Sequence, residues 1–208
     1  MDIQAAYTDW SATYDLDRNL TRDLDQLVTR DTLSHLRCKA ILEIGCGTGK
    51  NTELLTRIGE HVLALDFSPG MIEKAREKLP LDNVIFVGAD ITQPWATESQ
   101  SVDLITCNLV LEHIRDLPFI FAEASRVLIP TGRFFISELH PFRQYQGTQA
   151  NFLRNQQRTE IQAFVHHISD FIESATAQGL TLGQMKEWWH EEDKGKPPRL
   201  VTFMFEKE

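Results

Sequence analysis

Residues Ile41–Thr52 read ILEIGCGTGKNT. The apolar run Ala40–Ile44 stops at Gly45, Gly47 and Gly49, and a helical pattern follows over Lys50–Ile58. Residues without a Cβ let the chain turn sharply and let a ligand touch backbone, and the next helix offers free N–H groups at its start. Working outward, further apolar runs lie at His61–Leu65, Asn83–Val87, Val102–Cys107 and Arg133–Leu139. They alternate with helical patterns at Pro69–Leu79, where Ser68 suits the N-cap, and at Pro118–Leu128. Near-continuous apolar strands separated by helices call for a parallel sheet covered on both faces, and right-handed crossovers leave a doubly wound arrangement.

The last third differs. Residues 140–162 are polar and irregular, Ala163–Gln178 returns to a helical stripe capped by Gly179, and Leu180–Trp189 and Arg199–Phe205 read as two strands joined by His190–Pro198. The expected fold is α/β: a Rossmann-like doubly wound sheet of five parallel strands plus a C-terminal antiparallel hairpin, seven strands in all, with helices on both faces. The whole chain, 1–208, reads as a single domain. Residues 1–39 form an N-terminal helical cap or flap and residues 140–162 a lid insert after strand five.

Composition narrows the function. The chain has 208 residues, with 21 Lys and Arg against 30 Asp and Glu, a net charge of −9 and 42 % apolar residues. That is a globular balance, and its acid excess argues against a broad grip on nucleic-acid phosphates. Cys38, Cys46 and Cys107 form no C-x-x-C pair, so neither a zinc ribbon nor a disulfide framework is expected. The start of the chain lacks a signal-peptide pattern, and no stretch reaches the ~18 apolar residues of a membrane span, so a cytoplasmic setting is expected. Monomer and homodimer both fit.

The glycine loop fails as a P-loop, because Ile44 and Asn51 stand where Gly and Ser or Thr are needed. It fails as a dinucleotide fingerprint because Lys50 stands at the third glycine. What is present is acid-x-G-x-G-x-G, with Glu43 as the acid. A carboxylate there repels a pyrophosphate and attracts an ammonium group. Asp66, ending the second strand, suits the two hydroxyls of a ribose. Asp90, in VGADI, suits the amino group of adenine, with Ile91 and Met71 packing on the ring. The set describes an adenosine ligand that carries a cation and no phosphates.

At these residues the sequence resembles the class I S-adenosylmethionine-dependent methyltransferases, and most of all their small-molecule branch, which includes the methyltransferases of ubiquinone and menaquinone biosynthesis and of malonyl carrier protein. The matching segments are EIGCGTG, LDFSPGMIEKAREK, VGADI, and DLITCNLVLEHIRD followed by RVLIPTGRFFISE. The resemblance implies an S-adenosyl-L-methionine cofactor, leaving as S-adenosyl-L-homocysteine. It places Glu43, Gly45 and Gly47 at the methionine end, Asp66 at the ribose and Asp90 with Ile91 at the adenine, with Cys46, Gly49, Phe67 and Met71 as further cofactor-binding residues. Asn108 and Leu109 would flank the sulfonium. It implies methyl transfer to an oxygen or nitrogen of a small molecule. A non-catalytic binding module or another transfer from the same cofactor are the alternatives, and the intact acids argue against the first. The run Cys107-Asn108-Leu109-Val110 lacks the [DNS]-P-P-[YFW] motif that marks an amino group on a nucleic-acid base, so nucleic acid is not expected as a partner.

Tyr7, Trp10 and Tyr14 fall near one helical face. They dock a helix on the domain or close a flap over the cofactor, Tyr14 toward the sulfonium and Tyr7 and Trp10 toward the acceptor. His140, directly after strand five, is the candidate general base, with local backbone bonding as the alternative. Arg143 and Tyr145 are candidates for holding the acceptor, or else belong to a solvated lid. His167 falls on the apolar side of the expected helix, as a second candidate base or a core histidine. His166 is expected to face outward and pair with Asp170. His113, in LEHIRD, is a candidate at the pocket edge. No metal site is expected.

Overall fold

The protein is described by a computed structural model covering residues 3–148, 151–154 and 157–208. Its strands are β1 (Cys38–Ile44), β2 (Gly59–Asp66), β3 (Val84–Gly88), β4 (Val102–Asn108), β5 (Leu128–Leu139), β6 (Asn151–Arg154), β7 (Gln157–Glu160), β8 (Leu180–Trp188) and β9 (Leu200–Lys207). The helices are α1 (Ile3–Trp10), α2 (Leu20–Leu33), α3 (Thr52–Ile58), α4 (Pro69–Lys78), α5 (Leu117–Val127), α6 (Pro141–Tyr145) and α7 (Ile168–Thr176).

Seven strands form one sheet in the order β3-β2-β1-β4-β5-β9-β8. The pairs among β1 to β5 are parallel, and β9 and β8 return antiparallel. The strand order reverses between β1 and β4, so the loops leaving their carboxyl ends diverge and open a crevice there. Strand alternation builds a core on each face. Phe134 joins Phe121, Ile120 and Phe205 under α5 and α7, while Phe135 joins Leu55, Ile72 and Leu33 on the opposite face. Among the described residues no helix is long and apolar enough to cross a membrane.

Several expected boundaries shift for local reasons. The helix expected from Lys50 begins at Thr52, because the turn carries positive φ at Gly47 and Gly49 (54° and 81°) and runs on through Asn51. The fifth strand begins at Leu128 rather than Arg133; Thr131 takes a φ of 64° within it, and its pairing with β4 is irregular between Val102 and Leu104. The helix expected from Ala163 starts only at Ile168. Phe164 N–H donates to the Glu112 carbonyl (2.6 Å), and His167 takes an extended N-cap conformation, which holds 163–167 off the helix. The insert expected to be irregular contains α6 and the antiparallel β6–β7 pair, while 149–150 and 155–156 lie outside the described residues.

Residues 3–33 contain two helices. Asn19 caps α2 by accepting from Thr21 and Arg22 N–H, and Leu24, Val28 and Leu33 bury one face. Trp10 ends α1, so Tyr14 lies beyond that helix; the Trp10 and Tyr14 rings still meet edge to face at 4.7 Å, and the Arg22 guanidinium covers Tyr14 at 3.9 Å. Gly70 seats α1: a Cβ there would lie 2.7 Å from Ser11 Oγ and 3.1 Å from the Thr8 carbonyl.

Candidate active site

A cavity of about 610 Å³ opens at the switch point, within the range of small-ligand pockets. Gly45 and Gly47 form its floor at the end of β1. Both have positive φ (70° and 54°), and a Cβ on Gly45 would meet Val110 Cγ2 at 2.1 Å, so the loop and the segment after β4 close together only with glycine there. The end of β2 contributes Asp66, Phe67 and, through the start of α4, Met71. Asp66 is buried and fixed by two backbone donors, Gly47 N–H to Oδ2 (2.9 Å) and Ser68 N–H to Oδ1 (2.8 Å). A carboxylate has further lone pairs to offer, so two bonds leave acceptor capacity for ligand hydroxyls.

Asp90 and Ile91 line the third side. Thr92 donates to Asp90 Oδ1 twice, from its N–H (2.9 Å) and its hydroxyl (2.7 Å), an Asx-type turn that sets the carboxylate's orientation. Asn108 and Leu109 line the fourth side, with Leu109 at φ 56°. Tyr7 and Tyr14 close the cavity from the N-terminal segment, and His113 stands at its β4 end.

Glu43, Cys46, Gly49 and Trp10 lie outside the cavity wall. Glu43 is buried beneath the loop, accepting from the Thr52 hydroxyl (2.5 Å). Burial pushes its carboxyl up to about 8, opposed by the Thr52 bond and reinforced by the charges of Asp66 and Asp25. Cys46 turns into the core beside α4, and Gly49 faces Leu79 and Ala75. Trp10 is buried, and its Nε1 donates to Asp17 Oδ2 (2.7 Å).

Four further candidates are not brought to the cavity either. His140 caps α6 by accepting from Phe142 N–H at Nδ1 (3.1 Å), so its proton sits on Nε2 and goes to Glu187 (2.9 Å). His140 does not line the cavity, which corrects its reading as the base. Arg143 braces the 190s loop through the carbonyls of Pro197 and Pro198 and the carboxylate of Asp193 (2.9 Å). Tyr145 and His167 bond each other on the exposed surface (2.6 Å). His167 reaches no apolar face because it precedes the helix. His166, expected outside, turns inward and donates Nε2–H to the Ile114 carbonyl (2.7 Å).

Sequence reading missed Asp25 and Glu138. Asp25, on α2, accepts from Asn51 and Asn108 (both 2.8 Å), and Thr29 accepts from the same Asn108 amide (2.8 Å). Both Asn108 amide hydrogens are thereby used, which fixes the side chain. Glu138 accepts from Val110 and Leu111 N–H (2.9 and 2.8 Å), and burial pushes it up to about 8. The only signal for Asp25 was its place on the inner side of an amphipathic pattern beside Leu24 and Val28. Among the described residues, no group of three His, Cys, Asp or Glu is placed to hold a metal ion.

The donor set fits S-adenosylmethionine: buried acids without a paired cation surround the loop, the glycine cradle is open, and an acid stands at each of the ribose and adenine positions. Sheet order and site together define a class I methyltransferase architecture. Residues 42–136 match the family described as methyltransferase domain. The chain is 35 % identical over 131 residues to the biotin biosynthesis bifunctional protein BioHC of Cellvibrio japonicus, covering 63 % of this chain and 26 % of that protein. It is 30 % identical over 145 residues to a ubiquinone biosynthesis O-methyltransferase of Xanthomonas oryzae pv. oryzae, covering 65 % and 57 %. The chain thus spans less than two thirds of the length of these curated relatives. In fold it is similar to the N-methyltransferase NodS of Bradyrhizobium japonicum, solved with S-adenosyl-L-homocysteine, at a TM-score of 0.75 with 19 % identity, covering 100 % of this chain and 99 % of that one.

Proposed function

We propose that this chain is an S-adenosylmethionine-dependent methyltransferase acting on an oxygen or nitrogen of a small molecule in the cytoplasm. The observation that carries the reading is convergence: the glycine loop, Asp66, Met71, Asp90, Ile91 and Asn108, drawn from four strand ends, line one cavity. The cofactor supplies a methyl group on a positively charged sulfur. The chain's part is to hold both reactants in line and exclude water. Residues 1–39 act as the flap, with Tyr7 and Tyr14 over the cavity, and residues 140–162 are proposed as the lid. The acid excess and the absence of the nucleic-acid amino motif favour a small-molecule acceptor.

The test is thermal unfolding with S-adenosylmethionine and S-adenosylhomocysteine. A ligand at 100-fold its dissociation constant stabilises by about 2.7 kcal/mol. A clear rise in Tm is expected with both, and Asp66→Ala should remove most of it. No shift at millimolar cofactor would sink the proposal.

A further inference from the structure

At the β4 end of the cavity stands a side-chain chain that the cofactor reading leaves unused. The His113 side chain is buried, and its Nδ1 lies 2.8 Å from the Gln162 carbonyl. A carbonyl only accepts, so Nδ1 carries the proton and Nε2 carries the lone pair. The Tyr7 hydroxyl lies 2.8 Å from Nε2 and therefore donates to it. On the far side Glu112 Oε1 is 3.9 Å from Nε2, and Glu112 Oε2 is buried with no hydrogen-bond partner. Burial holds the imidazole below its ordinary pKa, so the ring is neutral, and it raises Glu112 to about 7.

A neutral, buried imidazole at a cavity wall, its lone pair taken by a hydroxyl, its tautomer locked from behind and a carboxyl beside it, is the arrangement of a general base. The Tyr7 phenol shows which group fits there, because a ring hydroxyl already donates to Nε2. The acids around it bear on the acceptor's charge. Glu112, Glu138 and Asp66 all act on the Tyr7 hydroxyl, so an anionic acceptor would be repelled there.

We infer that His113 is the general base of the reaction, taking the proton of a phenolic hydroxyl that replaces the Tyr7 hydroxyl at Nε2. This rests on the methyltransferase reading above. The acceptor's O–H proton passes to Nε2; the oxygen's electron pair forms the O–CH3 bond as the C–S pair returns to sulfur. The imidazolium that results faces Glu112 and later releases its proton to water. His113 is a catalytic residue in this scheme, and Glu112 and the Gln162 carbonyl are positioning groups.

Two measurements on the full chain test the inference. In the first, long-range 1H–15N spectra of 15N-histidine-labelled protein at pH 7.5 read the tautomer directly, with His113→Asn identifying the signal. The expected result is a neutral ring protonated at Nδ1; a ring protonated at Nε2 overturns the assignment. In the second, S-adenosylhomocysteine formation is followed with catechol and with hexanoate as acceptors. Catechol should react and hexanoate should not. His113→Asn keeps a donor for the Gln162 carbonyl but lacks Nε2, and should lower the catechol rate by about 100-fold or more. It should leave the S-adenosylhomocysteine Tm shift in place. Catechol turnover by the variant within threefold of wild type, or no catechol turnover by wild type, refutes the inference. Loss of the wild-type Tm shift would instead refute the methyltransferase reading. If the variant fails to fold, the wild-type spectrum still decides.

Discussion

Glu43, buried beneath the glycine loop, should make cofactor binding a proton-release event. In the ligand-free protein its carboxyl sits at about 8 because burial beneath the glycine loop disfavours the charge. At pH 6.5 the group is therefore almost fully protonated. A bound ammonium group favours the ionised form and returns the carboxyl toward the ordinary value near 4.3. At pH 6.5 a free α-amino group, with a pKa of about 7.7–8.0, is already charged. Binding should then release close to one proton, about 0.9 or more on the same arithmetic. Affinity should rise about tenfold between pH 6 and pH 7, equal to about 1.4 kcal/mol. Calorimetric titration of S-adenosylhomocysteine in phosphate and in Tris, whose ionisation enthalpies differ, counts the protons. 5′-Methylthioadenosine, which lacks the amino-acid end, should release few. Glu43→Gln should flatten the pH dependence. Equal release by Glu43→Gln and wild type, or a wild-type affinity independent of pH, would refute the reasoning.

Other predictions follow from the same groups and their neighbours. Glu43, Glu138 and Glu112 all have folded-state values raised to about 7 or 8, so the folded state holds extra protons and their contribution fades as pH climbs from about 4.5 through 8. The ligand-free Tm should fall between pH 5.5 and 8.5, and Glu138→Gln should flatten that fall in a melting series; a Tm that rises across this range contradicts it. Asp193 has the opposite sign. It is buried between Arg199 (2.7 Å) and Arg143 (2.9 Å), which hold it down to about 2, so its contribution is present at neutral pH and is lost only in strong acid. Asp193→Ala should cost about 3–5 kcal/mol in urea unfolding at pH 7, because two arginines lose their shared partner. Gly45→Ala should abolish the cofactor Tm shift, and adding Val110→Ala should recover only part of it, since the 2.1 Å clash is relieved while the left-handed φ remains.

The sheet and the cofactor wall were legible because their signals are local. An apolar run, a glycine cluster and an acid at each strand's carboxyl end sit within a few residues of one another, and the sheet order brings those ends together. Asp66, Asp90 and Asn108 line the cavity for that reason. The substrate side was not legible because its partners are remote in sequence. His140 follows strand five directly, but its Nε2 is held by Glu187, 47 residues away. The periodicity gives His167 a helical face, yet the bond between Phe164 and Glu112 holds the chain extended so that the helix starts only after it. His113 gains its role from Tyr7, 106 residues distant, and no periodicity links the two. Asp25 was hidden in an ordinary amphipathic helix, since a buried carboxylate leaves no mark on the pattern other than its position.

The acids also explain why the N-terminal helices belong to the site rather than merely covering it. Five carboxyl groups, on Asp25, Glu43, Asp66, Glu112 and Glu138, are buried around the β1 and β4 ends, and burial raises all five. Each buried charge without a counter-ion is costly, so the ligand-free protein meets the cost by keeping protons and by hydrogen bonds from Thr52, Asn51, Asn108 and backbone N–H groups. Arg22, on α2, is spent on the Tyr14 ring and the carbonyls of Tyr14 and Asp17. On ionising, these acids give the cavity negative potential, offset at Asp25 by Lys50. A ligand bringing an ammonium and a sulfonium completes that balance, whereas a phosphate ligand would worsen it. The same logic assigns α2 its part: Asp25 and Thr29 fix the Asn108 amide, and Asn108 faces the cavity at the β4 end. The orientation of a wall residue therefore depends on a helix that does not line the cavity.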